Sequence, residues 1–265
     1  MWTDEMAFIG AGNIAEIVMD RLVNLGSLTP AQLFACDISA TRRAYLRERF
    51  RGLRTSEDPQ EAARFSRCVV IATPPGAVLN VVHEIRPMLS ANHILVSLAT
   101  SVSIAQIEKA AGDVHVVRVL INSASLVGEG MNMVAFGHYV SPDYHKRTIN
   151  LLGLFGPYFE VSDEQMDFWC AICSAGPTYV LPVIEALAKA AMSRGISHDQ
   201  ALMGASQVVL GAARLVQQTG RDPKDLERLS ASLCTLHEEE VQRLYTDAYE
   251  EALRKLRRAA VAVTV

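Results

Sequence analysis

The stretch Met6-Ala7-Phe8-Ile9-Gly10-Ala11-Gly12-Asn13-Ile14-Ala15 decides how this chain folds. Four apolar residues in a row predict a buried strand, and a G-x-G-x-x-A turn follows at once. From Ile14 onward Ile14, Ile17, Val18, Leu22 and Leu25 recur at helical spacing, and Gly26 stops the helix. Strand, glycine turn and helix in this order are the fingerprint of a dinucleotide-binding unit. Gly10 permits the tight turn. Gly12 has no Cβ, so the backbone can approach a diphosphate. Ala15 is small enough for helix and strand to pack closely. The helix N-terminus offers free N–H groups and a partial positive charge. The predicted cofactor cradle is therefore Gly10, Ala11, Gly12, Asn13 and Ile14.

Working outward, Leu33-Phe34-Ala35-Cys36 predicts a second strand that ends in Asp37. An acid there can bond the adenosine ribose hydroxyls; the alternative is that Asp37 caps a helix starting near Thr41. A carboxylate also repels a 2′-phosphate, which favours NAD(H). Arg42 and Arg43 lie a few residues on and could hold that phosphate instead, so NADP(H) stays open.

The alternation continues through Arg67–Ala72, His93–Leu98 and Val114–Leu120, three apolar runs of the kind parallel strands covered on both faces require. The loop after the first of them places Ala72, Thr73 and Pro74 beside the cofactor. A helix over Val102–Ala111, a strand near Met133–Ala135, a helix over 142–154 and a short strand at Tyr158–Val161 complete a doubly wound α/β domain of the Rossmann type. Beyond residue 162 only helices are predicted, over 163–172, 177–194, 198–219, 222–230 and 236–258. The expected domains are thus 1–161, dinucleotide-binding, and 162–265, helical. Pro177–Arg194 is apolar on nearly every face, which predicts burial in a core or against another subunit.

Hydrophobic residues make up 50% and charged residues 20% of 265, which excludes disorder. A net charge of -4 argues against a nucleic-acid partner. No apolar stretch reads as long enough to span a membrane. Five scattered cysteines fit reduced thiols and a cytoplasmic location. No metal site is expected, because the histidines follow no ligand pattern. Cys170-Ala171-Ile172-Cys173 has redox spacing, but two small apolar residues at a helix end is the favoured reading.

Four blocks carry a family resemblance: Phe8–Ala15; Val96–Ala105; Val117-Arg118-Val119-Leu120-Ile121-Asn122 with Leu126–Met131; and Ser174–Val180 with Ile184–Leu187. Together they resemble the pyrroline-5-carboxylate reductases. The resemblance implies an NAD(P)H-dependent oxidoreductase that reduces a small cyclic imine, as in proline biosynthesis, and works as a homodimer or larger homo-oligomer with interlocked helices. It places Ala99, Thr100 and Asn122 at the nicotinamide end and Ser174, Thr178 and Thr235 on the substrate, with Ser232 as a further hydroxyl; the alternative for each hydroxyl is a bond to the backbone, and for Ser232 and Thr235 a cap on the last helix. Glu129 is expected to fix a loop. The departures lie on the substrate side. The family's Val-Lys-Pro reads Thr73-Pro74-Pro75, and its Asn-Thr-Pro reads Asn122-Ser123-Ala124. Its Ser-Pro-Gly-Gly-Thr-Thr loop is replaced by Ser230-Ala231-Ser232-Leu233-Cys234-Thr235, which lacks the glycines of a tight anion nest. Two other readings stay open: an NAD(P) dehydrogenase of another small substrate, and a nucleotide-binding relative without catalysis.

Overall fold

The structure, a computed structural model, describes residues 4–229 and 236–263. Two compact units account for the chain: one runs to Ala175 and resumes at Glu251, and the other is Gly176–Glu250.

The first unit is built on one eight-stranded sheet. Its strands are β1 (Met6–Ile9), β2 (Leu33–Cys36), β3 (Arg54–Ser56), β4 (Cys68–Ile71), β5 (Ile94–Ser97), β6 (His115–Leu120), β7 (Asn132–Phe136) and β8 (Tyr158–Glu160). They lie in the order β3-β2-β1-β4-β5-β6-β7-β8. Strands β1 to β6 pair in parallel; β7 runs antiparallel to β6, and β8 is parallel to β7. The helices between them are α1 (Asn13–Asn24), α2 (Ala40–Arg49), α3 (Pro59–Phe65), α4 (Pro75–Ile85), α5 (Ile104–Ala111) and α6 (Pro142–Leu152). Alternate residues of β1 serve opposite cores. Met6 and Phe8 pack with Val18, Leu22 and Phe155, while Ala7 and Ile9 pack with Val78, Val82 and Ile107. Burial on both faces is why these strands read as unbroken apolar runs. The expected Rossmann-type sheet is therefore present. β3 was not foreseen: it is short, polar and at the sheet edge, where only one face needs cover.

Helices follow residue 162, as expected, but with one difference. A single turn at Asp163–Gln165 leads into α7 (Met166–Trp169), and Cys170–Ser174 then winds as a π-turn with Ala175 N–H bonding the Cys170 carbonyl. The helix continues as α8 (Gly176–Met192). The result is a stretch from Asp163 to Met192 that is long and apolar enough, by length and composition, to cross a membrane. The expectation that no stretch reaches that length is corrected, because no break separates the two predicted helices.

The second unit holds α8, α9 (His198–Thr219), α10 (Pro223–Glu227) and the first half of α11 (Glu238–Val263). Its buried core is Ala188, Ala201 and Ala205, supported by Ile184, Ala191 and Met192. On α8, Ala188 alone is buried, and Val180, Leu181, Val183 and Leu187 are exposed. Among the described residues, burial of this helix is not provided within the unit.

Candidate functional site

The glycine turn is shaped by the strand beside it. Gly10 has φ +84, and a Cβ on it would stand 2.7 Å from the backbone of Ala72 and Thr73. Only glycine satisfies both demands. Gly12 is different: a Cβ there would meet nothing within 4 Å. Its freedom from a side chain serves open space in front of α1. No side chain caps that helix end, so the first-turn N–H groups of Asn13 and Ile14 remain available to an anion. This cradle stands at the carboxyl ends of β1 and β4, where the strand order reverses, the place where open α/β sheets take ligands. Ala72 N–H continues the ladder onto the Ile9 carbonyl and fixes the next loop against the turn. In that loop the Thr73 hydroxyl is enclosed and bonds to no group among the described residues. A buried hydroxyl without a partner is unfavourable, so the loop carries one donor more than the folded chain uses. Open cradle, uncapped helix and spare hydroxyl together fit a dinucleotide.

Asp37 follows β2 directly. One carboxylate oxygen accepts from Ala11 N–H at 2.9 Å, and the other accepts from Ser39 N–H at 2.8 Å. It does not cap the following helix; Ser39 does, accepting from Arg42 N–H. Asp37 thus pins the glycine turn to the end of β2. Beneath it, burial and the neighbouring carboxylate push the Cys36 thiol up to about 12.

Both arginines named for a 2′-phosphate are engaged. Arg42 donates to the carbonyls of Ala11 and Gly12 and pairs with Glu16 at 2.5 Å. Arg43 donates to the Asp37 carbonyl and pairs with Glu57 at 3.1 Å. The sequence reading missed Glu16; its only signal was an acid in the first turn of a helix, which the helix dipole already explains.

Ala99 and Thr100 follow β5 in a loop that ends at Ser101. Ser101 has φ +63 and donates its hydroxyl to the Leu256 carbonyl at 2.9 Å. Holding a non-glycine residue there costs about 1 kcal/mol. Asn122 is buried, and both ends of its amide are engaged. Its Nδ2 donates to the Cys173 carbonyl at 2.8 Å, and its Oδ1 accepts from Ala124 N–H. The π-turn shifts the local bonding register, and Asn122 supplies a partner for one of its carbonyls. Its amide is spent on positioning that turn.

Of the expected substrate hydroxyls, Ser174 lies in the π-turn and is hydrogen-bonded to the Cys170 thiol. Thr178 lies in the first turn of α8 and is exposed. Ser232 and Thr235 lie outside the described residues. Burial pushes both the Cys170 and the Cys173 thiols up, the opposite of what a redox pair needs. Glu129 is exposed; beside it Gly128, at φ +80, fits against the Arg21 guanidinium.

Arg118 was also missed. It is a lone charge within the apolar run of β6 and is buried. It pairs with Asp163 at 2.6 Å and with Asp167 at 3.6 Å, and Asp163 also accepts from the Ile104 N–H at the start of α5. These bonds tie the segment leading into the π-turn to the sheet.

Residues 163–263 match a family model described as pyrroline-5-carboxylate reductase dimerisation, and residues 5–101 match one described as NADP oxidoreductase, coenzyme F420-dependent. The pyrroline-5-carboxylate reductase of Escherichia coli is 30% identical over 229 residues, which is 86% of this chain and 85% of that protein. Two solved structures share the fold over nearly the whole length. The Plasmodium falciparum pyrroline carboxylate reductase with NADP bound has a TM-score of 0.86 at 22% identity, covering 98% of this chain and 99% of its own. The Coxiella burnetii pyrroline-5-carboxylate reductase has a TM-score of 0.78 at 25% identity, covering 97% and 99%.

Proposed function

The chain belongs to the pyrroline-5-carboxylate reductase family, and from that premise we propose that it reduces a small cyclic imine, pyrroline-5-carboxylate or a close relative, with NAD(H) favoured over NADP(H). The observation that carries this reading is the cradle: an open Gly12, an uncapped α1 and a carboxylate at Asp37. A fixed carboxylate beside the ribose suits two hydroxyls and repels a phosphate, and both nearby arginines are occupied.

When bound, the dinucleotide supplies a hydride to the imine carbon. The chain's part is to bind, orient and exclude water. Gly10 to Ile14 hold the diphosphate. Asp37 orients the adenosine ribose. Ala72, Thr73 and Pro74 border the crevice, and Ala99 and Thr100 border the nicotinamide. Asn122 acts through the π-turn it fixes, which carries Ser174. Ser174, Thr178 and Thr235 are the hydroxyls assigned to the substrate. A protonated imine is a strong electrophile, so no buried acid is required.

The working molecule is a homodimer or a larger homo-oligomer. Residues 163–263 match the family's dimerisation model, and α8 and α9 carry apolar side chains that the unit leaves uncovered. The same oligomer accounts for the apolarity of Asp163–Met192 without a membrane, which fits a cytoplasmic enzyme of proline synthesis.

The test is coenzyme oxidation over a panel of cyclic imines with NADH and NADPH. Turnover of the five-membered carboxylated ring is the expected outcome. Tight binding of a coenzyme with no turnover on any imine would replace this reading with that of a non-catalytic relative, which the altered stretch at 230–235 keeps as the second reading.

A further inference from the structure

The two arginines that follow β2 are the cations the sequence offers to an adenosine 2′-phosphate, yet the fold spends both elsewhere. Arg42 is the one that lies over the glycine turn. Its Nε donates to the Ala11 carbonyl, and its Nη2 donates to the Gly12 carbonyl at 3.3 Å and to a Glu16 carboxylate oxygen at 2.5 Å. The partner is itself held from outside. The second oxygen of Glu16 accepts from the Tyr45 hydroxyl at 3.0 Å and pairs with Arg49 Nε at 3.2 Å. Arg49 is braced in turn by Asp20 at 2.7 Å, and the Arg42 guanidinium lies 5.1 Å from the centre of the Tyr45 ring. The side chains of Glu16 and Arg42 are 15% and 22% exposed, so this pair is less screened than a surface ion pair.

We infer that Glu16 is a specificity-determining residue: by anchoring Arg42 on the glycine turn, it withholds that guanidinium from a 2′-phosphate and so favours NAD(H). The inference rests on the dinucleotide reading above and deepens it. Asp37 discriminates by repulsion, and Glu16 discriminates by occupying the cation that would otherwise compensate. Two separate residues then guard one hydroxyl. An arginine freed from Glu16 needs only a side-chain rotation, because its backbone is fixed in the first turn of α2. A charge-assisted bond to phosphate then becomes available in exchange for a lost bond to a carboxylate.

The test is equilibrium titration of the full-length protein with NADH and NADPH, read by coenzyme fluorescence, for wild type, Glu16→Gln, Glu16→Ala, Arg42→Ala and Glu16→Gln with Arg42→Ala. The readout is the ratio of the two dissociation constants within each protein, so a general loss of stability cancels. Wild type is expected to bind NADH more tightly. In Glu16→Gln and Glu16→Ala the ratio shifts about tenfold toward NADPH. Adding Arg42→Ala erases that shift, and Arg42→Ala alone leaves the ratio within about twofold of wild type, as it must if the guanidinium is withheld. A ratio unchanged by both Glu16 substitutions overturns the inference, as does a wild type that already prefers NADPH through Arg42. Absence of saturable binding of either coenzyme to wild type would instead remove the proposed function itself.

Discussion

The two compact units dispose of their apolar side chains in opposite ways. In the first, the strands and the inward faces of the helices are buried almost completely on both sides of the sheet. In the second, three alanines form the buried core, while Met203, Val208 and Leu181 stand 75%, 64% and 59% exposed. A monomeric protein does not leave so large an apolar surface to water. The first unit is stabilised by its own chain, and the second is half of an interface. The cradle sits on the part that is complete alone.

The strongest way to break that comparison is at α9. Replacing Met203 and Val208 together by glutamate changes two exposed side chains, and it should weaken subunit association by about a hundredfold or more, because charges enter an apolar interface. Sedimentation at micromolar concentration reads it directly. A wild type that sediments as a monomer would break the comparison outright. The opposite result is expected for Leu95→Ala in β5: a loss of about 2–5 kcal/mol in denaturant unfolding, with the oligomer's size retained.

Smaller changes sharpen the comparison inside the first unit, by separating frame from cradle. Gly10→Ala adds a Cβ against the Ala72 backbone at positive φ and should destabilise folding by at least about 1–2 kcal/mol. Gly12→Ala adds one into open space. Its stability should stay within about 0.5 kcal/mol, and coenzyme affinity should fall about tenfold, measured on the same preparation. The smallest effect belongs to Thr73→Val. Losing an unpartnered hydroxyl should leave the thermal midpoint unchanged or raised, with coenzyme affinity lower by about threefold to tenfold. If affinity does not move, the spare hydroxyl has no ligand.

Much of the first unit is legible in the sequence because apolar runs of strand length report burial on two faces. The turn from Gly10 to Ala15 is legible because each position has its own steric reason. Three features are not. β3 is polar and lies at an edge, so periodicity has nothing to register. The π-turn contains one residue more than an α-turn, and no propensity marks it; the Asn122 side chain that completes it comes from 51 residues away in sequence. Glu16 reads as an ordinary helix-surface charge and Arg42 as a candidate for the 2′-phosphate, and only folding brings them together. That Asp37 does not cap the following helix depended on a neighbour, Ser39, taking the cap.

The first unit is also discontinuous: it includes the stretch from Glu251 onward, where Leu253 is buried and Leu256 receives the Ser101 hydroxyl. On the ribosome, the strands and most of the sheet emerge early and can pair while synthesis continues. The loop of Ala99 and Thr100 cannot acquire its latch until the last helix has been translated. A nascent chain stalled before residue 251 would therefore hold a nearly finished sheet with that loop unsecured, and an early stop codon in α11 would loosen a loop whose Ser101 lies 155 residues before Leu256.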